Sequence, residues 1–183
     1  MKLTGLALPA GGENKASRWR LFSEKDGEGS MDLFQREIRA RVVEAGPDAI
    51  RVAVKLNDSF HEIALTLEVR PSDRTITGAR AEFIRFPYDR CRDTMARLDN
   101  LVGVTIAPGV WRTVAREVGG KDGCTHLYEL TMEALRVAMQ GFYRYEWERL
   151  PQEERLPFLR RALAGECYIY SHPEVKARFL LEE

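Results

Sequence analysis

A thiol and an imidazole stand two residues apart in the string Gly119-Gly120-Lys121-Asp122-Gly123-Cys124-Thr125-His126-Leu127. Both are metal donors once deprotonated, and a thiolate is also a nucleophile. The glycines predict a turn, and Leu127, Leu130, Ala134, Val137, Ala138 and Gly141 recur beyond it at helical spacing. A long helix is therefore expected from near Thr125, its N-cap, to about Trp147. The free amides and positive dipole end at such a helix start favour a thiolate at Cys124.

Two more donors fall at element ends. His61 precedes Ile63, Leu65, Leu67 and Val69, which alternate with polar residues, and the same parity turns His61 toward the buried face of a strand. Cys91 lies in the first turn of a helix expected after Pro87-Tyr88-Asp89, with Cys91, Met95, Leu98 and Val102 as its inner face. If these ends converge at one edge of a sheet, His61, Cys91, Cys124 and His126 form a tetrahedral site of two sulfurs and two imidazoles. Zinc and ferrous iron both accept that mixture. With a coordination position left open, such an ion polarises a carbonyl or activates water.

Two other readings compete. In one, Cys124 is a nucleophile; His126 would diverge from it by about 200° along a helix, so His61 is the better base. In the other, the cysteines are small buried hydrophobes and His61 a satisfied core histidine, and the protein is a non-catalytic small-molecule-binding or interaction module.

The elements that must hold these residues can be read from periodicity. Ile38, Ala40 and Val42 alternate with Arg39 and Arg41, and Gly46-Pro47-Asp48 turns the chain into a second strand carrying Ile50, Val52, Val54 and Leu56. Asn57-Asp58-Ser59 reads as the next turn and Pro71-Ser72-Asp73 as the one after. Thr75 to Phe86 is a fourth strand, with a bulge expected at Gly78. Turns this short favour an antiparallel meander of about four strands with helices packed on one face, an α+β domain. Beyond it, Pro151 and Pro157 interrupt the pattern before a short helix around Phe158, Leu159, Ala162 and Leu163, which Gly165 ends. The expected organisation is an irregular arm over 1–30 bearing Trp19, Leu21 and Phe22, a core domain over 31–150, and a short helix and strap over 151–183. Cys167 and His172 in that strap are a further ligand pair, read as packing.

Composition bounds the function. With 183 residues and 44% hydrophobic content, the chain can bury a core without disulfides, and three cysteines fit thiols or ligands in a reducing compartment. Lys plus Arg and Asp plus Glu both total 28, so no global field draws it to nucleic acid or anionic lipid. The apolar run Leu3 to Leu8 is cut by Pro9, too short for a secretory leader or a membrane span, and the expected location is the cytoplasm. Arg85, Arg90, Arg92, Arg97, Arg112 and Arg116 could rim the site and take a small anionic ligand, although a solvated, ion-paired face is the simpler reading. Phe142, Tyr143, Tyr145 and Trp147 crowd the far end of the long helix, as core contacts or as a pocket for an aromatic ligand.

Phe60-His61-Glu62-Ile63, Ala81 to Pro87-Tyr88 with Cys91, and Gly123-Cys124-Thr125-His126-Leu127 with its helix together resemble the bacterial family catalogued as domain of unknown function 2889. The resemblance runs from about Trp19 to the tail and supports these positions without implying a reaction. More loosely, Cys124 to Met139 is similar to the helix-start cysteine string of NifU-type iron-sulfur scaffold proteins. This chain lacks their middle cysteine between Arg92 and Gly123 and the small-residue string near the first, departures that count against cluster assembly and leave a single-metal site open.

Overall fold

The computed structural model describes residues 33–172. The chain divides into Met1–Leu33 and Phe34–Glu183, and all strands and helices among the described residues belong to the second unit. The arm over 1–30, with Trp19, Leu21 and Phe22, and the strap beyond His172 lie outside the described residues.

Four strands, β1 (Arg36–Ala45), β2 (Ile50–Asp58), β3 (Glu62–Arg70) and β4 (Thr75–Arg85), form one antiparallel sheet in sequence order. Alternation explains its two faces. Val52, Val54 and Leu56 of β2 and Ile63, Leu65 and Leu67 of β3 are buried, while the residues between them carry a lattice of ion pairs that includes Arg51–Glu68, Arg80–Glu68 and Lys55–Glu62. Between β3 and β4 the register shifts at Glu62/Ile63 and again where Glu68 faces Gly78 and Val69 faces Ile76, so a bulge at Thr77 lies beside the expected glycine. The outer edge of β4 is covered by the loop after Leu101, through Ile76 N–H to Val104 O and a Thr75–Thr105 bridge.

Helices cover the apolar face. The long helix α2 (Thr125–Arg149) lies over β1, β2 and β3, preceded by α1 (Val110–Glu117) and followed by α3 (Gln152–Leu163) and the short α4 (Tyr168–Ser171). Gly141 brings α2 close to the sheet: a Cβ there would stand 2.7 Å from Val42 Cγ2. The fold is thus α+β, with its core between the meander and α2.

Three local expectations need correction. The segment after Pro87 is a 3-10 helix, Asp89–Leu101, packed on β4. At three residues per turn its inner face runs Met95, Leu98, Leu101, so Leu101 is fully buried and Val102 is exposed. The N-cap of α2 is Cys124, one residue before the expected Thr125. Finally, α3 continues through Pro157, whose missing amide costs one bond near the helix start, and the chain turns after it at Gly165 with φ +83°. Among the described residues no helix is long and apolar enough to cross a membrane.

Candidate metal centre

The site forms where β2 ends and β3 begins, against the start of α2. Asp58 extends the inward parity of Ile50, Val52, Val54 and Leu56 by one step, and its side chain has no exposed surface. Its Oδ1 accepts the backbone N–H groups of Phe60 at 2.9 Å and His61 at 2.7 Å, which folds the β2–β3 turn around the carboxylate. The same oxygen lies 3.1 Å from His61 Nδ1. Its Oδ2 accepts from Arg36 Nε at 3.0 Å, and Arg36 Nη2 lies 2.9 Å from it as an ion pair. Burial pushes the Asp58 pKa up, but the two amides, His61 and Arg36 outweigh it and hold the group at about 2.

Hydrogen-bond logic then assigns the imidazole tautomers. An ionised carboxylate only accepts, so His61 Nδ1 donates and Nε2 is the nitrogen left for a ligand. His126, in the first turn of α2, lies against His61 with ring centroids 3.9 Å apart and planes tilted by 36°. Its Nε2 is 3.2 Å from Arg36 Nη2. A guanidinium only donates, so His126 Nε2 accepts and Nδ1 carries the proton, facing Cys124 Sγ at 3.9 Å. Burial, then His61, then Arg36 lower the His126 pKa and keep the ring neutral. Arg36 completes the cluster through Nη1, 2.8 Å from Glu129 Oε2, one turn further along α2.

The approach of His126 to Cys124 differs from the sequence expectation that the two would diverge. Cys124 is an extended N-cap, φ −131° and ψ 124°, so helical rotation starts only at Thr125 and the imidazole can reach back. The turn before it depends on Gly123, where a Cβ would stand 2.0 Å from Val118 O and 2.4 Å from Gly119 O. Cys124 N–H donates to that same Val118 carbonyl at 2.9 Å, which pins the start of α2.

Of the four expected donors, the fold therefore brings His61 and His126 into contact and sets Cys124 beside His126. Cys91 packs against the hydrophobic core, and its thiol and that of Cys124 are free. Among the described residues, the three donor groups whose ligand atoms lie within 4.8 Å of one another are Asp58, His61 and His126. Sequence reading missed Asp58, Arg36 and Glu129. The signal was present for two of them: Arg36 shares the parity of Ile38, Ala40 and Val42, as Asp58 does that of β2, and both sit one step beyond the apolar run.

Others of the expected groups make contacts within the fold. Arg85 donates to Asn57 Oδ1 at 2.8 Å and to the carbonyls of Asp58 and His61. Arg97 donates to Glu117 O at 2.6 Å at the end of α1, while Arg92 and Arg112 lie over Phe86 and Trp111. His172 stacks on Tyr168, with Nδ1 2.7 Å from the Tyr168 carbonyl. Tyr143 meets Phe158 edge to face, joining α2 to α3. Phe142 and Tyr145, with Pro47 and Pro71, line a depression of about 330 Å³ at the opposite end of the sheet.

Fold and cluster together define an α+β protein with a buried carboxylate and two imidazoles in ring-to-ring contact at one end of its sheet. The chain belongs to the family described as protein of unknown function (DUF2889), whose match covers residues 15–140 and so includes every residue of this cluster. No curated protein matches the chain, and no solved structure matches it. The looser likeness to NifU-type scaffolds finds no support among these matches.

Proposed function

We propose that this is a cytoplasmic metal-binding protein that holds one zinc or ferrous ion between the β2–β3 turn and the start of α2. His61 Nε2, His126 Nε2 and Asp58 Oδ2 are the ligands. The observation that carries this reading is the convergence of these three groups within 4.8 Å, from segments more than sixty residues apart in a chain with only three histidines. Two imidazoles and a carboxylate suit ferrous iron or zinc and leave coordination positions open.

The surroundings support the assignment. Burial lowers the His126 pKa toward the neutral form that a ligand needs, and each ring has its other nitrogen engaged: His61 Nδ1 by Asp58 Oδ1, His126 Nδ1 toward Cys124 Sγ. Such outer partners fix the tautomer and aim of a ligating imidazole. Cys124 therefore takes an orienting role here, and Cys91 stays outside the site. The free thiols of Cys91, Cys124 and Cys167 suit a reducing compartment. A bound ion would supply Lewis acidity toward a carbonyl or water at its open positions, as a small metalloenzyme or a metal-handling component.

The test is metal analysis of the full chain, purified anaerobically without an affinity tag and offered zinc or ferrous iron. One ion per chain is expected, with loss in His61→Ala and in His126→Ala and retention in Cys91→Ser. The absence of a stoichiometric ion in the wild type, or its survival in both histidine variants, would overturn the reading.

A further inference from the structure

Arg36 sits against two of the three proposed ligands. Its Nη2 stands 2.9 Å from Asp58 Oδ2 and 3.2 Å from His126 Nε2, and its Nε donates to the same Oδ2, so one guanidinium already engages two of the three ligands. Asp58 Oδ1 is locked by two amides and His61, and the carboxylate cannot turn away. A metal ion and the guanidinium therefore compete for the same oxygen and the same nitrogen. Like charges a few ångströms apart in a partly buried site repel strongly.

The competition has a built exit. Arg36 already donates through Nη1 to Glu129, and its side chain is 29% exposed, as Glu129 is 35% exposed, so the guanidinium can swing outward without losing its second carboxylate. Asp58, with no exposed side-chain surface, has no such freedom. Resting on the metal reading above, we infer that Arg36 is the resident counter-cation of the centre: it leaves Asp58 and His126 for Glu129 as an ion enters, and this exchange sets the metal affinity. Arg36 and Glu129 are then positioning residues that act on the ion through the ligands. Without Arg36 the buried carboxylate lacks its neutralising partner until metal arrives, which raises affinity at the expense of the metal-free fold. Without Glu129 the displaced guanidinium has no acceptor, which lowers affinity.

The test is a zinc titration of the full chain against a competing chelator, for the wild type, Arg36→Gln, Glu129→Gln and the double variant, with melting temperatures recorded with and without zinc. Arg36→Gln is expected to bind zinc at least tenfold more tightly, and to melt lower than wild type without zinc but recover with it. Glu129→Gln is expected to bind at least threefold more weakly. The double variant should follow Arg36→Gln, because Glu129 acts only through the guanidinium. Arg36→Lys, which keeps the charge and loses the fork, serves if Arg36→Gln does not fold, and it should fall between wild type and Arg36→Gln, its affinity rising. An arginine variant with affinity at or below wild type, or additive losses in the double variant, would overturn the exchange while leaving the metal site standing. Zinc bound by Arg36→Gln but not by wild type would make Arg36 a permanent block and overturn both the exchange and the native metal reading; zinc bound by neither would also overturn both.

Discussion

The chemistry rests on a carboxylate that cannot leave its pocket and an imidazole that resists protonation. Asp58 is held at about 2 against an ordinary 3.8, so its stabilisation is present above the ordinary value and is lost as pH falls from there through about 2. His126 works in the range above. Its folded pKa is depressed below 6.5, so the unfolded chain takes up a proton that the folded chain refuses, and stability falls as pH falls through 6.5. Urea denaturation of the metal-free protein at pH 7.5 and 5.5 should therefore show lower stability at the acid value, and His126→Gln should reduce that difference. An equal difference in both proteins would mean that the His126 ring is not the desolvated base described. For Asp58→Ala, which leaves Arg36 without its buried partner, the expected loss is about 3 kcal/mol at neutral pH.

At the scale of elements, the site depends on two short pieces of backbone, the Asp58-centred turn and the glycine turn before α2. Gly123→Ala must push the Val118 and Gly119 carbonyls aside, since the new Cβ would overlap both. Because Cys124 and His126 ride on that turn, zinc binding should weaken by tenfold or more, a size usual for lost outer-shell support, with the helical signal of α2 retained. Unchanged affinity would show that the helix start does not aim His126. The body of α2 carries one polar misfit. Thr131 is fully buried, and its hydroxyl finds no hydrogen-bond partner among the described residues. Thr131→Val keeps the shape and removes the orphaned group, so it should raise stability by about 1 kcal/mol without altering metal affinity. A loss of stability would indicate that the hydroxyl has a partner.

For the molecule as a whole, the meander is legible in the sequence because the alternation in β2 and β3 is nearly unbroken and the turns are short. Helix geometry is less so: residue spacing around Met95 and Leu98 fits three or 3.6 residues per turn, and only packing on β4 decides for Leu101 over Val102. At the site, His61 and His126 can be singled out by residue type, but Asp58 reads as a turn residue and Arg36 lies outside the alternation that marks the first strand. Both are polar residues at inward parity just past an apolar run, where a strand end can either surface or carry a buried charge. A single sequence does not separate those cases; the partner across the sheet end does. Cysteine has the opposite difficulty, since a rare residue type draws attention wherever it packs, and Cys91 packs against the core.

The most direct measurement is X-ray absorption at the zinc edge on the tag-free full chain loaded with one equivalent of zinc. Two imidazole scatterers and oxygen are expected in the first shell at about 2.0 to 2.2 Å, with the imidazole contribution reduced in His61→Ala and in His126→Ala. A first shell without imidazole, or one unchanged in both variants, would contradict the proposed centre.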